Sequence, residues 1–370
     1  MNEEHLRLFG KGIQKLIDRR DLSEDETYSM FREVLAGEQP DLQQGAFLAA
    51  LVAKRETAGE ITGAWRAIQE LDTVDVVGPL PSLRCENSGT GMDSLKTFNV
   101  SSAAAVIAAA CGVTMTRHGA RALTSCCGTV DILEAVGVDV SGTVEGVAKS
   151  IREAGIGLFN GMSPLVHPAA LGRILSQIRF GSTLNIAASL ANPARPTHAV
   201  RGVYSEALLG IVAEVMPTIG YERGMVVYGR DRRLAGGMDE LSVTGPTVIH
   251  EFSSAGAPFV YVLNPEDIGL VCAPFEAVAT TGDIRTERRR FLRVLTGQEG
   301  GACEDFACLN AAAILQVTGR VASLREGLSV SRECLVTGAA LNKLREWVEI
   351  QGGTSHAGSG ILDQALADAS

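Results

Sequence analysis

The sequence predicts an α/β protein with a small N-terminal helical domain and a larger α/β domain built on a central, mainly parallel sheet. Two observations carry this prediction. Residues 1–76 show only helical spacing of apolar side chains, whereas the later residues alternate short apolar runs, Gly-rich turns and helical stretches. The chain also has 370 residues, of which 46% are hydrophobic, and this is enough material for two cores.

Helix starts are marked most clearly in the N-terminal region. Ser23 with Glu26 and Thr57 with Glu60 are capping boxes, and each is followed by apolar residues at helical spacing. Together with their flanking segments, they predict four short amphipathic helices within residues 1–76.

The larger domain is expected to comprise residues 77–164 and 191–350. A helical segment near 165–190 is expected to return to the N-terminal domain and complete it. In the larger domain, strands are predicted at 112–116, 225–228 and 259–263. The last helices are predicted at 306–317 and 329–348. The small, polar residues 351–370 are expected to form a frayed tail.

Composition narrows the class of protein. The formal net charge is −10, which excludes a globally basic nucleic-acid-binding surface but leaves room for a local basic patch. The first residues lack the basic start and apolar core of a signal peptide, and no run supplies the roughly 20 apolar residues of a membrane span. Eight cysteines without a CxxC pair are typical of reduced thiols, so we expect a cytoplasmic protein.

Three Gly-framed segments carry the candidate chemistry, and the first follows a predicted strand. Gly89-Thr90-Gly91 bends the backbone so that N–H groups can converge on an anion, and Asp93 comes shortly after it. The polar residues that lead from there into an Ala-rich helix are Thr97, Asn99, Ser101 and Ser102. A helix N-terminus rich in hydroxyls suits a phosphate or pyrophosphate, although the Gly-Lys-Ser/Thr of a Walker loop is absent.

The second segment begins at the end of another predicted strand. Arg117 and Arg121 flank His118 and Gly119, and two cations at a strand end suit a phosphorylated ligand. The hydroxyl donors that follow are Thr124, Ser125 and Thr129.

The third segment places the adjacent carboxylates Asp239 and Glu240 on a loop framed by glycines. Carboxylate oxygens are hard ligands of the kind that Mg²⁺ prefers. With the first two segments, this gives amides and hydroxyls that hold a pyrophosphate, cations that neutralise it, and a metal site. The residues alone therefore predict a Mg²⁺-dependent enzyme that acts on a diphosphate.

These segments resemble the motifs of the anthranilate phosphoribosyltransferase family. The family's Gly-Thr-Gly-Gly-Asp corresponds to Gly89-Thr90-Gly91-Met92-Asp93, and its Lys-His-Gly-Asn-Arg corresponds to Arg117-His118-Gly119-Ala120-Arg121. Further motifs in the family's order are His167-Pro168-Ala169, Asn192-Pro193 and Met238-Asp239-Glu240. The N-terminal helices are similar to the family's dimer-forming domain, so the resemblance covers nearly the whole chain. It implies the architecture shared by nucleoside phosphorylases and phosphoribosyltransferases.

The resemblance implies a function as well as a fold. The family transfers a phosphoribosyl group from phosphoribosyl diphosphate to an aromatic or nitrogenous acceptor, anthranilate or an analogue, with Mg²⁺ and release of pyrophosphate. A homodimer and a place in tryptophan biosynthesis are implied too. The implied donor residues are Gly89, Thr90, Gly91, Asp93, Thr97, Asn99, Val100, Ser101, Ser102, Arg117, His118, Gly119, Arg121, Thr124, Ser125 and Thr129. The implied metal residues are Ser101, Asp239 and Glu240, and the implied acceptor residues are Gly89, His118 (as an orienting group), Ala120 and Arg173.

The sequence departs from the family's pattern at several of these positions. Met92 replaces the second glycine of the donor motif, Arg117 replaces a lysine, and Ala120 replaces an asparagine expected near the acceptor. The segment from 167 to 185 is about two residues shorter than in the family. Arg173 is therefore only the nearest candidate for the arginine that holds the anthranilate carboxylate, and Leu175 also aligns there. We expect an acceptor site that differs from the family's.

Two other functions stay open. A non-catalytic relative could bind nucleic acid through the Arg-rich run 285–290, although such runs are usually solvated helix faces. A nucleoside phosphorylase would share the architecture and the phosphate-binding loops. The segment around Asp239 and Glu240 favours a diphosphate donor over both.

Overall fold

The computed structural model describes residues 3–121, 127–178, 180–254, 256–353 and 356–369. Its N-terminal helices are α1 (Glu3–Ile17), α2 (Glu24–Leu35), α3 (Asp41–Lys54) and α4 (Ala58–Leu71). The two predicted capping boxes are confirmed, since the Ser23 and Thr57 hydroxyls accept the N–H groups of Glu26 at 3.1 Å and Glu60 at 3.3 Å. These caps satisfy N–H groups that a helix start would otherwise leave unpaired.

The remaining helices lie in and around the larger domain. They are α5 (Val100–Ala110), α6 (Thr129–Ala135), α7 (Val144–Ala154), α8 (Leu171–Gln177), α9 (Thr183–Leu190), α10 (Leu209–Thr218), α11 (Ile284–Leu295), α12 (Gly301–Val317), α13 (Leu324–Val336), α14 (Ala339–Gln351) and α15 (Ala357–Ala369). The Ala-rich α5 and the long α12 pack against each other in the main core, where small side chains allow close helix approach.

The strands form one mixed sheet. They are β1 (Cys85–Gly89), β2 (Met115–Gly119), β3 (Ile156–Asn160), β4 (His198–Gly202), β5 (Arg223–Arg230), β6 (Gly237–Met238), β7 (Thr247–Ser253) and β8 (Gly256–Leu263). Their order is β3-β2-β1-β4-β5-β7-β8, and β6 pairs with β5. The first five are parallel, whereas β6, β7 and β8 join by antiparallel pairing. The predicted α/β class with a mainly parallel sheet is confirmed.

The helices α8 and α9 share an apolar core with the N-terminal helices. Phe31 and Phe47 lie in this core with their ring centroids 5.2 Å apart, and Leu171 and Leu184 are buried with them. The segment between β3 and β4 thus packs on the helical domain, whereas the two strands that flank it belong to the sheet.

Two sequence expectations about the C-terminal region are wrong. The helix predicted over 329–348 is broken, because Gly338 has a φ of +74° and separates α13 from α14. The expected frayed tail instead ends in α15, whose Leu362 and Ala365 are buried against the larger domain. These two positions lie three residues apart, a helical spacing that the surrounding small and polar residues obscured.

Within the described part of the chain, no helix combines the length and the apolar character that crossing a membrane requires.

Candidate functional site

A cleft of about 260 Å³ lies at the carboxyl ends of the parallel strands. Gly89 at the end of β1 pairs with Gly202 at the end of β4, and Gly119 at the end of β2 pairs with Asn160 of β3. Because parallel strands all end at one edge of a sheet, the loops that follow them converge there.

The structure places most of the predicted site residues around this cleft. Those that line it are Gly89, Thr90, Gly91, Asp93, Thr97, Asn99, Ser101, Ser102, Arg117, His118, Gly119, Ala120, Arg121, Thr129, Asp239 and Glu240. Val100 is instead fully buried in the main core. Thr124 and Ser125 lie outside the described residues.

The carboxylate of Asp239 sits against two glycines that end neighbouring strands. A Cβ atom on Gly89 would overlap this carboxylate, and one on Gly202 would overlap the Asp239 backbone. The N–H of Gly91 donates to Asp239 Oδ2 at 2.8 Å, which joins the first and third segments directly. Gly202 was not singled out in the sequence, because nothing local marks it as the neighbour of a residue 37 positions away.

Three carboxylates form a cluster at this edge of the cleft. Ligand atoms of Asp93, Asp239 and Glu240 all lie within 4.8 Å of one another. Burial and the neighbouring Asp239 raise the pKa of Asp93 to about 7, even though Lys96 Nζ lies 2.6 Å from Asp93 Oδ1. Burial and Asp239 also raise the pKa of Glu240 well above its ordinary value, and Glu240 Oε2 is buried without a hydrogen-bond partner.

This donor set fits a hard divalent cation. Buried carboxylates that repel one another are unfavourable unless they are protonated or share a cation. Oxygen ligands from Asp239 and Glu240, with Asp93 alongside, are the kind that Mg²⁺ takes. The predicted Ser101 lies in the same cleft wall.

Arg117 lies beneath the start of α5. It is 1% exposed, and its Nη1 donates to Ser102 Oγ at 2.6 Å while Nη2 donates to the Asn87 carbonyl at 3.3 Å. Asn87 Nδ2 in turn donates to the Ser101 carbonyl at 2.7 Å. Burial lowers the pKa of Arg117 to about 9, so it stays charged at neutral pH. A buried cation at a helix N-terminus makes this corner of the cleft strongly attractive to an anion.

Arg121 reaches the cleft edge but is already paired. Its guanidinium donates to Glu134 at 2.6 and 2.9 Å and to Asp131 at 3.0 Å. Gly119 makes room for Thr129 at the start of α6, because a Cβ on Gly119 would lie 2.9 Å from Thr129 Cγ2. Arg121 therefore anchors the strand end to α6 in this structure.

His118 is paired with a second histidine. Its Nε2 lies 3.0 Å from His167 Nε2, and His167 Nδ1 contacts the backbone carbonyl of Asp72. Burial and the adjacent His167 lower the pKa of His118 to about 3, and burial lowers the pKa of His167 as well. Both imidazoles are neutral at physiological pH. In the sequence, His167 was identified only as part of the motif His167-Pro168-Ala169, and nothing there indicated that it pairs with His118.

The wall opposite the carboxylates is mostly apolar. Among the residues that the structure describes, this part of the lining comprises Gly161, Met162, Leu171, Leu175, Asn185, Ala188 and Ser189. Leu171 and Leu175 are four residues apart and therefore share one face of α8.

The expectation for Arg173 is wrong. Its guanidinium faces out of the cleft, with Nη1 3.2 Å from Asp41 Oδ1 and Nη2 3.4 Å from Gln44 Oε1. Two helical positions separate Arg173 from Leu171 and from Leu175, which puts it on the opposite face of α8. Leu175, the other residue that aligned with the acceptor arginine, lines the cleft instead.

Met92 has a left-handed backbone. Its φ is +64°, directly after Gly91 at +65°. Non-Gly residues in this region are strained by roughly 1–2 kcal/mol. The family pattern has a glycine at this position, and glycine suits a left-handed backbone. This chain adopts the same left-handed conformation with a methionine.

The Arg-rich run 285–290 is occupied by contacts within the chain. Arg288 Nη2 lies 2.7 Å from Asp368 Oδ2, Arg289 Nε donates to the Asp368 carbonyl at 3.1 Å, and Arg290 Nη1 donates to the Ala279 carbonyl at 2.8 Å. Arginines at the C-terminus of α15 also complement its dipole. These contacts account for three of the four arginines in the run.

The fold and the cleft define the class of protein. Residues 84–341 match the family described as glycosyl transferase family, a/b domain, and residues 11–71 match its helical bundle domain. The anthranilate phosphoribosyltransferase of Chloroflexus aurantiacus is 36% identical over 346 residues, which are 93% of this chain and 98% of that enzyme. That of Methanothermobacter thermautotrophicus is 35% identical over 347 residues, 92% of this chain and 97% of the enzyme. The chain belongs to the anthranilate phosphoribosyltransferase family.

Solved structures agree with this assignment. The anthranilate phosphoribosyltransferase of Thermus thermophilus superposes with a TM-score of 0.81 at 32% identity, over 92% of this chain and 99% of that one. The fold is also that of the Saccharomyces cerevisiae enzyme in complex with PRPP and Mg, with a TM-score of 0.81 at 22% identity over 93% of this chain and 98% of that one.

Proposed function

We propose that this protein transfers the phosphoribosyl group of phosphoribosyl diphosphate to the nitrogen of an aromatic amine, with release of pyrophosphate and dependence on Mg²⁺. Anthranilate is the first acceptor to test. The observation that carries the proposal is the meeting, in one cleft, of a buried arginine at a helix N-terminus with a cluster of three carboxylates. A diphosphate and a divalent cation together satisfy both.

On the donor side, the chain supplies fixed positive potential. The N-terminus of α5 offers backbone N–H groups and the hydroxyls of Ser101 and Ser102, with Arg117 charged beneath them. Arg117 is held there by hydrogen bonds within the protein, to Ser102 Oγ and to the Asn87 carbonyl. Stabilisation of the departing pyrophosphate therefore costs little reorganisation.

Asp239 and Glu240 would hold Mg²⁺, with Ser101 and Asp93 alongside. Mg²⁺ bound there would offset the negative charge of the diphosphate as it leaves. The bond from Gly91 to Asp239 fixes the position of that carboxylate relative to the donor loop.

On the acceptor side, the residues of the chain orient the acceptor and do not form bonds with it. The cleft wall of Leu171, Leu175 and Met162 suits the face of an aromatic ring, and neutral His118 lies beside it. With a pKa near 3, His118 is too weak a base to remove a proton from the amine efficiently. We therefore assign it a role in orienting the acceptor, and catalysis then depends on proximity and charge stabilisation.

The experiment is a pyrophosphate-release assay with phosphoribosyl diphosphate, Mg²⁺ and a panel of aromatic amines and acids that includes anthranilate. D239N/E240Q serves as the inactive control. Release that requires both an amine and Mg²⁺ supports the proposal. Release of the free base from a pyrimidine nucleoside in the presence of inorganic phosphate, measured separately, would instead indicate a phosphorylase.

We also propose that the protein acts in the cytoplasm, in tryptophan biosynthesis, as a homodimer formed through its helical domain. Exposed apolar side chains on α1 and α3 support this surface: Leu8 is 56%, Ile17 61% and Leu42 88% exposed. Exposed apolar side chains mark a surface that a partner covers when they form one contiguous patch. Light scattering of the wild type and of L8E/I17E tests it, with the variant expected to be monomeric.

A further inference from the structure

Asp72, the residue after α4, lies in the interior at the junction of the helical domain and the cleft. It is 0% exposed, and none of the three Gly-framed segments contains it. A fully buried carboxylate is costly unless several donors satisfy it. Its contacts therefore identify what it holds in place.

The carboxylate of Asp72 caps the cleft-lining helix α8. Its Oδ2 accepts the N–H groups of Ala170 at 3.0 Å and Leu171 at 2.8 Å, and Oδ1 accepts that of Ala169. A carboxylate that satisfies the first N–H groups of a helix fixes both the position and the direction of that helix. The side chains that α8 turns into the cleft, Leu171 and Leu175, thus depend on Asp72.

The backbone carbonyl of Asp72 contacts His167, the histidine that faces His118 on the acceptor side of the cleft. It contacts His167 Nδ1, and two lone pairs cannot face each other, so Nδ1 carries the proton. Since His167 is neutral, its Nε2 is an acceptor. This acceptor lies 3.0 Å from His118 Nε2, so the Asp72 carbonyl sets which His167 nitrogen meets His118.

We propose that Asp72 is a positioning residue for the acceptor: its carboxylate fixes the α8 wall, and its carbonyl fixes the tautomer of His167, which packs against His118. This inference rests on the proposed function for the identity of the ligand. The donor side is held by other contacts, from Gly91 to Asp239 and from Arg117 to Ser102. A change at Asp72 should therefore act on the acceptor and spare the donor.

The first test is D72N, which keeps the shape of the side chain and its backbone carbonyl but loses one acceptor oxygen. The matched control is D283N, because Asp283 caps α11 by accepting the Thr286 N–H at 2.9 Å, and α11 contributes no residue to the described cleft lining. For D72N we expect the KM for anthranilate to rise about tenfold, as for a displaced substrate-positioning group, while the KM for phosphoribosyl diphosphate stays within about twofold. D283N should change neither constant.

The second test is H167N. The asparagine amide nitrogen can occupy the place of Nδ1 and keep the bond to the Asp72 carbonyl, but the side chain is too short to reach His118. We expect H167N to remove the ring contact that positions His118 and to raise the KM for anthranilate alone. An equal rise of both KM values in D72N and H167N, or a lower melting temperature with unchanged kinetics, would show that Asp72 is merely structural and would overturn the proposal.

A readout that needs no activity separates this inference from the proposed function. Two-bond ¹⁵N–¹H spectra of histidine-labelled protein should show His167 protonated on Nδ1, and amide exchange should be faster at 169–171 in D72N than in the wild type. If no acceptor reacts but both spectra behave in this way, the proposed function fails and the positioning by Asp72 stands. The opposite tautomer of His167, or unchanged exchange in D72N, contradicts the inference directly.

Discussion

The backbone N–H of Gly91 donates a 2.8 Å hydrogen bond to the carboxylate of Asp239, across 148 residues of sequence. This hydrogen bond joins the loop that we propose binds the donor to the loop that we propose binds the metal. The two loops can approach only because Gly89 and Gly202, at the ends of neighbouring strands, lack side chains. The proposed donor and metal sites are therefore one structural unit, and a change in either loop should affect both.

Replacement of Gly89 by alanine tests this unit. The added Cβ would overlap the Asp239 carboxylate and displace it from the cluster. We expect G89A to fold but to lose at least about tenfold in affinity for phosphoribosyl diphosphate with Mg²⁺, by calorimetry. G45A is the control, because a Cβ on Gly45 in α3 meets nothing within 4 Å. Normal binding by G89A would show that the glycine contact is not needed.

Restoring glycine at position 92 should relieve strain. Met92 has a φ of +64°, so M92G is expected to raise the free energy of unfolding by up to about 1 kcal/mol, by urea titration. It should also lower the KM for phosphoribosyl diphosphate, since the side chain lies in the donor loop. R19G, at a φ of +57° in the helical domain, should stabilise similarly and leave the KM unchanged. A higher KM in M92G would mean that Met92 contributes to donor binding.

The carboxylate cluster predicts a characteristic pH dependence. Burial and mutual repulsion raise the pKa values of Asp93 and Glu240, so the folded state binds protons more tightly than the unfolded state. That stabilisation is present at low pH and is lost as the pH rises towards about 7, the pKa of Asp93. Without metal, the melting temperature of the wild type should therefore fall relative to that of E240Q between pH 5 and 8.

Mg²⁺ supplies the control for this prediction. Added Mg²⁺ should raise the wild-type melting temperature more at pH 8 than at pH 5, because the ion competes with protons for the same oxygens. E240Q should respond weakly. Equal responses of the two proteins would argue against Glu240 as a metal ligand.

Arg173 and Leu175 should behave in opposite ways. R173A removes an exposed ion pair with Asp41, worth about 0–1 kcal/mol, and should leave the acceptor KM within about twofold of wild type. L175A opens the cleft wall and should raise that KM. Steady-state kinetics with anthranilate compares them, and a large acceptor defect in R173A alone would restore the role first expected for it.

The sequence predicted features that depend on short stretches of chain. The capping boxes at Ser23 and Thr57 and the α/β class follow from local spacing, and both are confirmed. The three Gly-framed segments also identified most of the residues that meet at the strand ends, because parallel strands bring their carboxyl ends together whatever their order.

The sequence did not predict contacts between distant segments. Gly202 is needed for its neighbour Asp239, and His118 pairs with His167, yet each depends on register and packing that no local pattern encodes. The prediction for Arg173 was wrong for a related reason, because a shift of two residues along a helix turns a side chain to the opposite face. Charge and spacing indicate which residues can act, whereas the packing decides which of them face the cleft.

The most direct test of the central claim is calorimetric titration of the protein with phosphoribosyl diphosphate, with and without Mg²⁺. The account predicts binding that requires Mg²⁺ and is lost in D239N/E240Q, because the diphosphate and the carboxylate cluster share the ion. Absence of binding in the presence of Mg²⁺, or equal binding by the double variant, would contradict it.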